Sequence, residues 1–90
     1  MAARDAVTTY VALGANLGDA VATVRQALVW LGALPGTRLL AASSLYRTAP
    51  WEASGPDFIN AVALVDTRLT APALLHALQQ VHDGAVRHQH

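Results

Sequence analysis

The sequence predicts a single α+β domain in which strands and helices follow the order β-α-β-β-α. Three observations lead to this prediction: β-prone stretches bounded by turn residues, two apolar stripes at helical spacing, and a length of 90 residues, which suits one small domain. The apolar fraction of 53% is ample for a core, although much of it is alanine. We therefore expect residues 1–90 to form one domain.

The first predicted elements are a strand and a helix. Residues 9–13 are β-prone and stop at Gly14, so we expect a strand there. Asp19 can cap a helix, because its side chain can accept a hydrogen bond from a backbone N–H of the first turn. The apolar residues that follow recur at steps of three and four, as on one helix face: Val21, Val24, Leu28 and Leu31. Gly32 and the Pro35-Gly36 pair are expected to end this helix.

Two more strands and a second helix complete the order. We expect strands over residues 38–47 and 58–67. Thr70 can cap the second helix, and Gly84 is expected to break it. Its apolar positions again recur at helical spacing: Leu74, Leu75, Leu78 and Val81. The order β-α-β-β-α matches the ferredoxin-like arrangement up to its last element, so we expect this fold truncated before the fourth strand.

The first strand is predicted to have an open edge. In the complete ferredoxin-like order it lies between the third and fourth strands. Without a fourth strand, residues 10–13 would present unpaired N–H and C=O groups, and no Lys or Pro is there to discourage pairing. We therefore expect edge-to-edge self-association or aggregation.

Composition and charge exclude several classes of function. The formal net charge is zero and no Lys is present, so nothing supports nucleic-acid binding. Without cysteine, disulfides, thiolate metal sites and cysteine nucleophiles are impossible. No apolar run approaches the roughly 18 residues of a membrane span, and the N-terminus lacks the apolar region of a signal peptide. We expect a cytoplasmic protein with no membrane partner.

The four histidines do not predict a metal site. His76 and His82 are six residues apart, about 240° round a helix, so they do not share a face. His88 and His90 lie in a short tail. The acidic residues are scattered singly, with no Asp-x-Asp pair.

Residues 43–60 carry the strongest functional signal. A strand ending at Arg47 is followed by a loop of about ten residues, longer than a plain hairpin needs. The loop holds Trp51, and directly after it Phe58 and Asn60 are two apart, so their side chains leave the strand on one face. A ring beside a carboxamide can stack on a planar heterocycle and bond its polar edge. Alternatively, Trp51 covers an edge of the core, Phe58 belongs to the core and Asn60 caps a turn.

Residues 14–19 (Gly-Ala-Asn-Leu-Gly-Asp) link the first strand to the first helix. Backbone N–H groups at a helix N-terminus can meet an anion. The segment matches neither the P-loop pattern nor GxGxxG, however, so a tight turn is the simpler interpretation.

Three segments together closely resemble the 6-hydroxymethyl-7,8-dihydropterin pyrophosphokinase family, whose members move pyrophosphate from ATP to a pterin alcohol in folate biosynthesis. They are residues 14–19, residues 43–50 (Ser-Ser-Leu-Tyr-Arg-Thr-Ala-Pro) and residues 56–61 (Pro-Asp-Phe-Ile-Asn-Ala). The match runs in register from about Tyr10 to Val81, at the family's spacing of elements.

The resemblance implies roles for individual residues. It places six of them in a pterin pocket: Gly14, Thr48, Pro50, Trp51, Phe58 and Asn60. Phe58 would stack on the pterin ring, and Asn60 would bond its polar edge. Gly14 would let the first strand approach the pocket closely. Gln79 would face the nucleotide. Arg87 would also face it, although the residues on either side of Arg87 match the family less well.

The chain also departs from the family where catalysis is concerned. It has His82 where the family usually has a Glu. The 90 residues contain no counterpart of the family's Arg-Trp-Gly-Pro-Arg-Thr-Leu-Asp-Leu-Asp-like segment, which supplies arginines and the Asp-x-Asp pair for two Mg²⁺ ions. Phosphoryl transfer from ATP depends on such charge neutralisation. We therefore expect the chain to be inactive alone.

Two other interpretations remain open at this point. The chain could be a non-catalytic module that binds a pterin or a purine, or a decayed fragment with no function of its own. Titration with a pterin separates these two.

Overall fold

The computed structural model describes residues 5–50 and 54–86, with the backbone alone over 79–86. Within those ranges the elements are β1 (Val7–Ala15), α1 (Ala20–Ala33), β2 (Thr37–Ala42), β3 (Tyr46–Thr48), β4 (Phe58–Thr67) and α2 (Ala71–Val86). The α+β class and the ferredoxin-like course of the chain are confirmed. The last predicted strand, over residues 58–67, is confirmed with its bounds.

The four described strands form one antiparallel sheet in which β4 is central. β1 pairs along its whole length with one side of β4, from Val7 opposite Thr67 to Ala15 opposite Ile59. β2 and β3 pair one after the other with the other side of β4. The first strand therefore lies beside the last one, as the ferredoxin-like order requires. Among the described strands, β1 has β4 as its single neighbour.

The prediction of one continuous strand over residues 38–47 is wrong, because its pairing with β4 is irregular at two places and the strand is interrupted at the second. The first lies inside β2, where Leu39 is opposite Val65 but Ala41 is opposite Leu64. Two steps along β2 thus match one step along β4, which is a β-bulge with one extra residue.

The second irregularity separates β2 from β3. Ala42 is opposite Ala63 and Tyr46 is opposite Asn60, so four steps on this side match three on β4. Ser43 keeps the interrupted stretch attached to β4. Its backbone N–H donates to a β4 carbonyl at 2.8 Å, and its hydroxyl accepts from the N–H of the same β4 residue at 2.9 Å.

Both helices begin at the predicted caps. The Asp19 carboxylate accepts a hydrogen bond from the backbone N–H of Ala22 at 3.1 Å, at the start of α1. The Thr70 hydroxyl accepts one from the N–H of Ala73 at 3.2 Å, at the start of α2. Each bond satisfies a backbone donor that has no partner inside the helix.

Three glycines that were predicted to end elements lie inside them instead. Gly14 belongs to β1, Gly32 to α1 and Gly84 to α2. A glycine inside an element costs roughly 0.5–1 kcal/mol relative to alanine, which the rest of the element offsets. α1 ends at Ala33, and its C-cap Leu34 has an extended backbone, because the residue before Pro35 is disfavoured in helical conformation. The predicted stop at the Pro35-Gly36 pair therefore lies close to the observed end.

The core lies between the sheet and the two helices, which pack on the same side of it, here called the helix face. Its buried residues come from both helices and from β1 and β4: Val11, Ala15, Val24, Leu31, Ala61, Ala63, Val65 and Leu74. The other side is the open face, which no described element covers. Its residues in β1, β3 and β4 are Thr8, Tyr10, Ala12, Gly14, Tyr46, Thr48, Phe58, Asn60, Val62, Leu64 and Asp66, and β2 adds Arg38 and Ala41. No described helix is long and apolar enough to cross a membrane.

Candidate functional site

The candidate site lies at one end of the open face, where β1, β3 and β4 meet. Gly14 of β1 and Tyr46 of β3 lie opposite Asn60 of β4, one on each side. Thr48 lies opposite Phe58 at the start of β4. Because directly paired residues share a face of the sheet, the fold brings four of the six predicted pocket residues together: Gly14, Thr48, Phe58 and Asn60.

The side chain of Asn60 is held by β3. Its Nδ2 donates to Thr48 Oγ1 at 2.9 Å and lies 3.4 Å from the Tyr46 carbonyl oxygen and 3.5 Å from that of Phe58. A carbonyl oxygen can only accept, so the NH₂ end of the carboxamide faces β3. The Asn60 Oδ1 atom therefore faces β1.

Gly14 leaves the space that this oxygen occupies. A Cβ atom added at Gly14 would lie 3.0 Å from Asn60 Oδ1, closer than ordinary van der Waals contact. The φ angle of Gly14 is not positive, in contrast to Gly18 at φ 60° in the turn that follows. What position 14 requires is therefore the absence of a side chain rather than a left-handed backbone.

The alternation along β4 gives Phe58 and Asn60 a common face, as predicted. Both are half-buried, whereas Ala61 and Ala63 on the helix face are buried. Phe58 belongs to neither buried core cluster. Asn60 lies within a strand and bonds a neighbouring strand, so the interpretation of this residue as a turn cap is wrong.

The other predicted site residues are placed less completely. Pro50 is half-buried in the coil that follows β3. Trp51 lies outside the described residues. Gln79 lies in α2, where the backbone alone is described, and Arg87 lies outside the described residues. The structure therefore describes most side chains on the pterin side of the predicted site and none on the nucleotide side.

Tyr46 is a site residue that the sequence analysis missed. Its carbonyl oxygen helps to orient Asn60, and its side chain, 47% exposed, lies on the open face beside Thr48. Tyr46 and Thr48 are two apart on a strand, as Phe58 and Asn60 are. The same alternation, applied to the strand before the loop, would have indicated Tyr46.

Within the part of the chain that the structure describes, no three His, Cys, Asp or Glu residues lie close enough to hold a metal ion. Asp66, an acid on the open face, accepts a hydrogen bond from Thr8 at 3.2 Å and lies 3.7 Å from Arg38. The described donor set does not fit a Mg²⁺ centre.

The sheet order and the helices on one face define a ferredoxin-like α+β domain, and the oriented carboxamide on the other face marks a candidate small-molecule site at one end of it. Sequence comparison supplies the family. The family profile of 7,8-dihydro-6-hydroxymethylpterin-pyrophosphokinase matches residues 10–90, and the chain belongs to this family.

Several bacterial relatives carry the name 2-amino-4-hydroxy-6-hydroxymethyldihydropteridine pyrophosphokinase. That of Methylorubrum extorquens is 45% identical over 67 residues, which are 73% of this chain and 42% of the relative. That of Haemophilus influenzae is 38% identical over 84 residues, 90% of this chain and 52% of the relative. That of Pseudomonas putida is 41% identical over 83 residues, 90% of this chain and 69% of the relative. The chain thus spans roughly half of the length of these relatives.

Proposed function

We propose that this chain forms the pterin-binding part of a folate-biosynthesis pyrophosphokinase, which transfers pyrophosphate from ATP to 6-hydroxymethyl-7,8-dihydropterin. The observation that supports this proposal is the oriented carboxamide of Asn60 on the same face of β4 as Phe58. The names of the relatives supply the substrate and the reaction.

The described geometry suits a planar, hydrogen-bonding ligand. The ring of Phe58 would stack on the pterin, a contact worth about 0.5–1.5 kcal/mol beyond the area that it buries. Among the described residues, Asn60 Oδ1 accepts no hydrogen bond, so it would accept one from an N–H on the pterin edge. Such a bond contributes about 1 kcal/mol net. Pro50 and Trp51 would line the pocket from the loop.

For the nucleotide we propose Gln79 and Arg87 as contacts, on the family resemblance alone. ATP and Mg²⁺ are the family's cofactors, and Mg²⁺ neutralises charge on the transferred group. The described residues offer no such centre. We therefore propose that the 90-residue chain by itself transfers pyrophosphate far more slowly than a longer relative. Single-turnover assays with ATP and Mg²⁺ test this, and a rate within about tenfold of a relative's would refute it.

The test of the pterin site is titration with 6-hydroxymethyl-7,8-dihydropterin. Fluorescence of Trp51 is the signal, and a Trp30→Phe background removes the second tryptophan. We expect weak binding, in the micromolar range or above, because the described part of the pocket offers only the ring of Phe58 and the carboxamide of Asn60. Asn60→Ala should weaken it about tenfold.

Asp66→Asn is the matched control for Asn60→Ala. Position 66 lies on the same face of the same strand, six residues or about 20 Å from Asn60, so its change should leave pterin affinity unaltered. Equal affinity of Asn60→Ala and the unaltered chain would contradict the assigned pocket. Absence of any binding would favour a decayed fragment instead.

A further inference from the structure

We infer that Gly14 is a positioning residue, which holds the carboxamide of Asn60 in its binding orientation by having no side chain. The inference rests on the proposed function for its ligand, and on the register and hydrogen bonds of the sheet for its geometry. Gly14 would contact no substrate atom in this role. It acts on recognition through Asn60.

The carboxamide is confined from both neighbouring strands. On the β3 side, its Nδ2 is held by Thr48 Oγ1 at 2.9 Å. On the β1 side, its Oδ1 projects into the space that a Cβ at Gly14 would take, 3.0 Å from that position. The Asn60 side chain therefore reaches from β3 to β1 at the position where Gly14 and Tyr46 lie opposite it.

Strand β1 cannot easily move to make room for a larger residue at position 14. Ala15, the next residue, is 3% exposed and belongs to a core cluster. Val11, three residues before Gly14, is 9% exposed and belongs to the other core cluster. Both residues fix β1 against the helices, because moving it would open voids in a packed core. A methyl group at position 14 should therefore displace the Asn60 side chain rather than the strand.

Displacement of the Asn60 side chain would cost recognition. Rotation away from position 14 would change the geometry of the hydrogen bond to Thr48 and move Oδ1 from the place where a ligand N–H would meet it. Gly14→Ala and Asn60→Ala should thus disable the same group. Their effects on pterin affinity should not add.

The experiment is a double-mutant cycle with Gly14→Ala, Asn60→Ala and the combined variant. We expect Gly14→Ala to weaken dihydropterin binding about tenfold in the unaltered chain and to change it little in the Asn60→Ala background. An equal weakening in both backgrounds would overturn the inference. If Gly14→Ala alone fails to fold while the combined variant folds, this supports directly a steric conflict between a side chain at position 14 and the Asn60 carboxamide.

A ligand-free measurement separates this inference from the proposed function. In the ¹⁵N–¹H spectrum, Gly14→Ala should shift the side-chain NH₂ signals of Asn60, because their hydrogen bond to Thr48 changes. Gly32→Ala is the control: it also adds one carbon at a tight position, 3.3 Å from the Cβ of Leu39, but on the helix face. It should leave the Asn60 signals and pterin affinity unchanged. If the unaltered chain binds no pterin, the proposed function fails, and unchanged Asn60 signals in Gly14→Ala would overturn the inference separately.

Discussion

The two faces of β4 differ in what surrounds them, although their residues alternate along one strand. On the helix face, Ala61, Ala63 and Val65 are 0–1% exposed beneath the helices. On the open face, Asn60 is half-buried and bonds to β3, and Tyr10 of the neighbouring strand is 74% exposed. The helix face therefore holds the core, and the open face carries the proposed recognition site. Single substitutions should separate the two.

The largest effect is expected for Leu31→Ala, on the helix that covers the sheet. Leu31 is 0% exposed, so its truncation leaves a cavity that should lower the free energy of unfolding by about 2–5 kcal/mol. Val29→Ala on the same helix is the control, because Val29 is 64% exposed and should change stability by less than about 0.5 kcal/mol. Urea denaturation measures both. Equal losses would mean that α1 does not pack as described.

A second pair of variants compares the two faces directly. Ala63→Leu places a larger side chain at a position that is 0% exposed on the helix face, and overpacking should cost about 1–3 kcal/mol. Ala12→Leu makes the same change on the open face of β1, where the residue is exposed, and should be nearly neutral. Thermal unfolding distinguishes them. A comparable loss for Ala12→Leu would show that the open face is packed.

The smallest expected effect is on self-association through the edge of β1 that does not pair with β4. Beside this edge and α2 lies a groove of about 450 Å³. The described residues that line it carry no charge, and Leu75 among them is 58% exposed. Because the net charge is also zero, two copies can approach without repulsion. We propose that β1 pairs with β1 of a second copy, which joins the two sheets and brings the grooves together. Sedimentation velocity at high concentration should show a dimer.

Ala12→Lys should shift this equilibrium towards monomer, since like charges on facing strands cost about 0.2–1 kcal/mol per pair. Val29→Lys adds the same charge to the exposed side of α1 and should leave association unchanged. Amide exchange gives an independent reading. A stable monomer in which the Val11 and Leu13 amides are strongly protected would contradict pairing through this edge.

Local sequence signals predicted the elements that local interactions determine. Asp19 and Thr70 were identified as caps because a cap bonds within three residues of its own position. The division of the second strand was missed because its bulges are defined by the partner strand, which no local pattern contains. Gly32 and Gly84 were misjudged because a single glycine lowers helix stability without ending the helix.

The site shows the same division between local and long-range information. The common face of Phe58 and Asn60 follows from strand alternation alone, and the structure agrees. The relation between Gly14 and Asn60 joins residues 46 positions apart, so it depends on register and could not be derived from spacing. The family resemblance pointed to Gly14 as a residue of the pocket, and pairing across the sheet supplies a physical reason.

The two bulges between Leu39 and Tyr46 have a consequence for sequence length. Each inserts one residue and so exchanges the faces to which all later side chains point, and the two exchanges cancel. Arg38 and Thr48 consequently share the open face, although the strand between them is irregular. Loss of Ser44 or Leu45 would remove the extra residue, so that three steps would match three on β4 and Tyr46 would stay opposite Asn60. A second inserted residue would have to leave the ladder as a longer interruption to keep Tyr46 opposite Asn60, so at positions 44–45 a deletion should be tolerated better than an insertion.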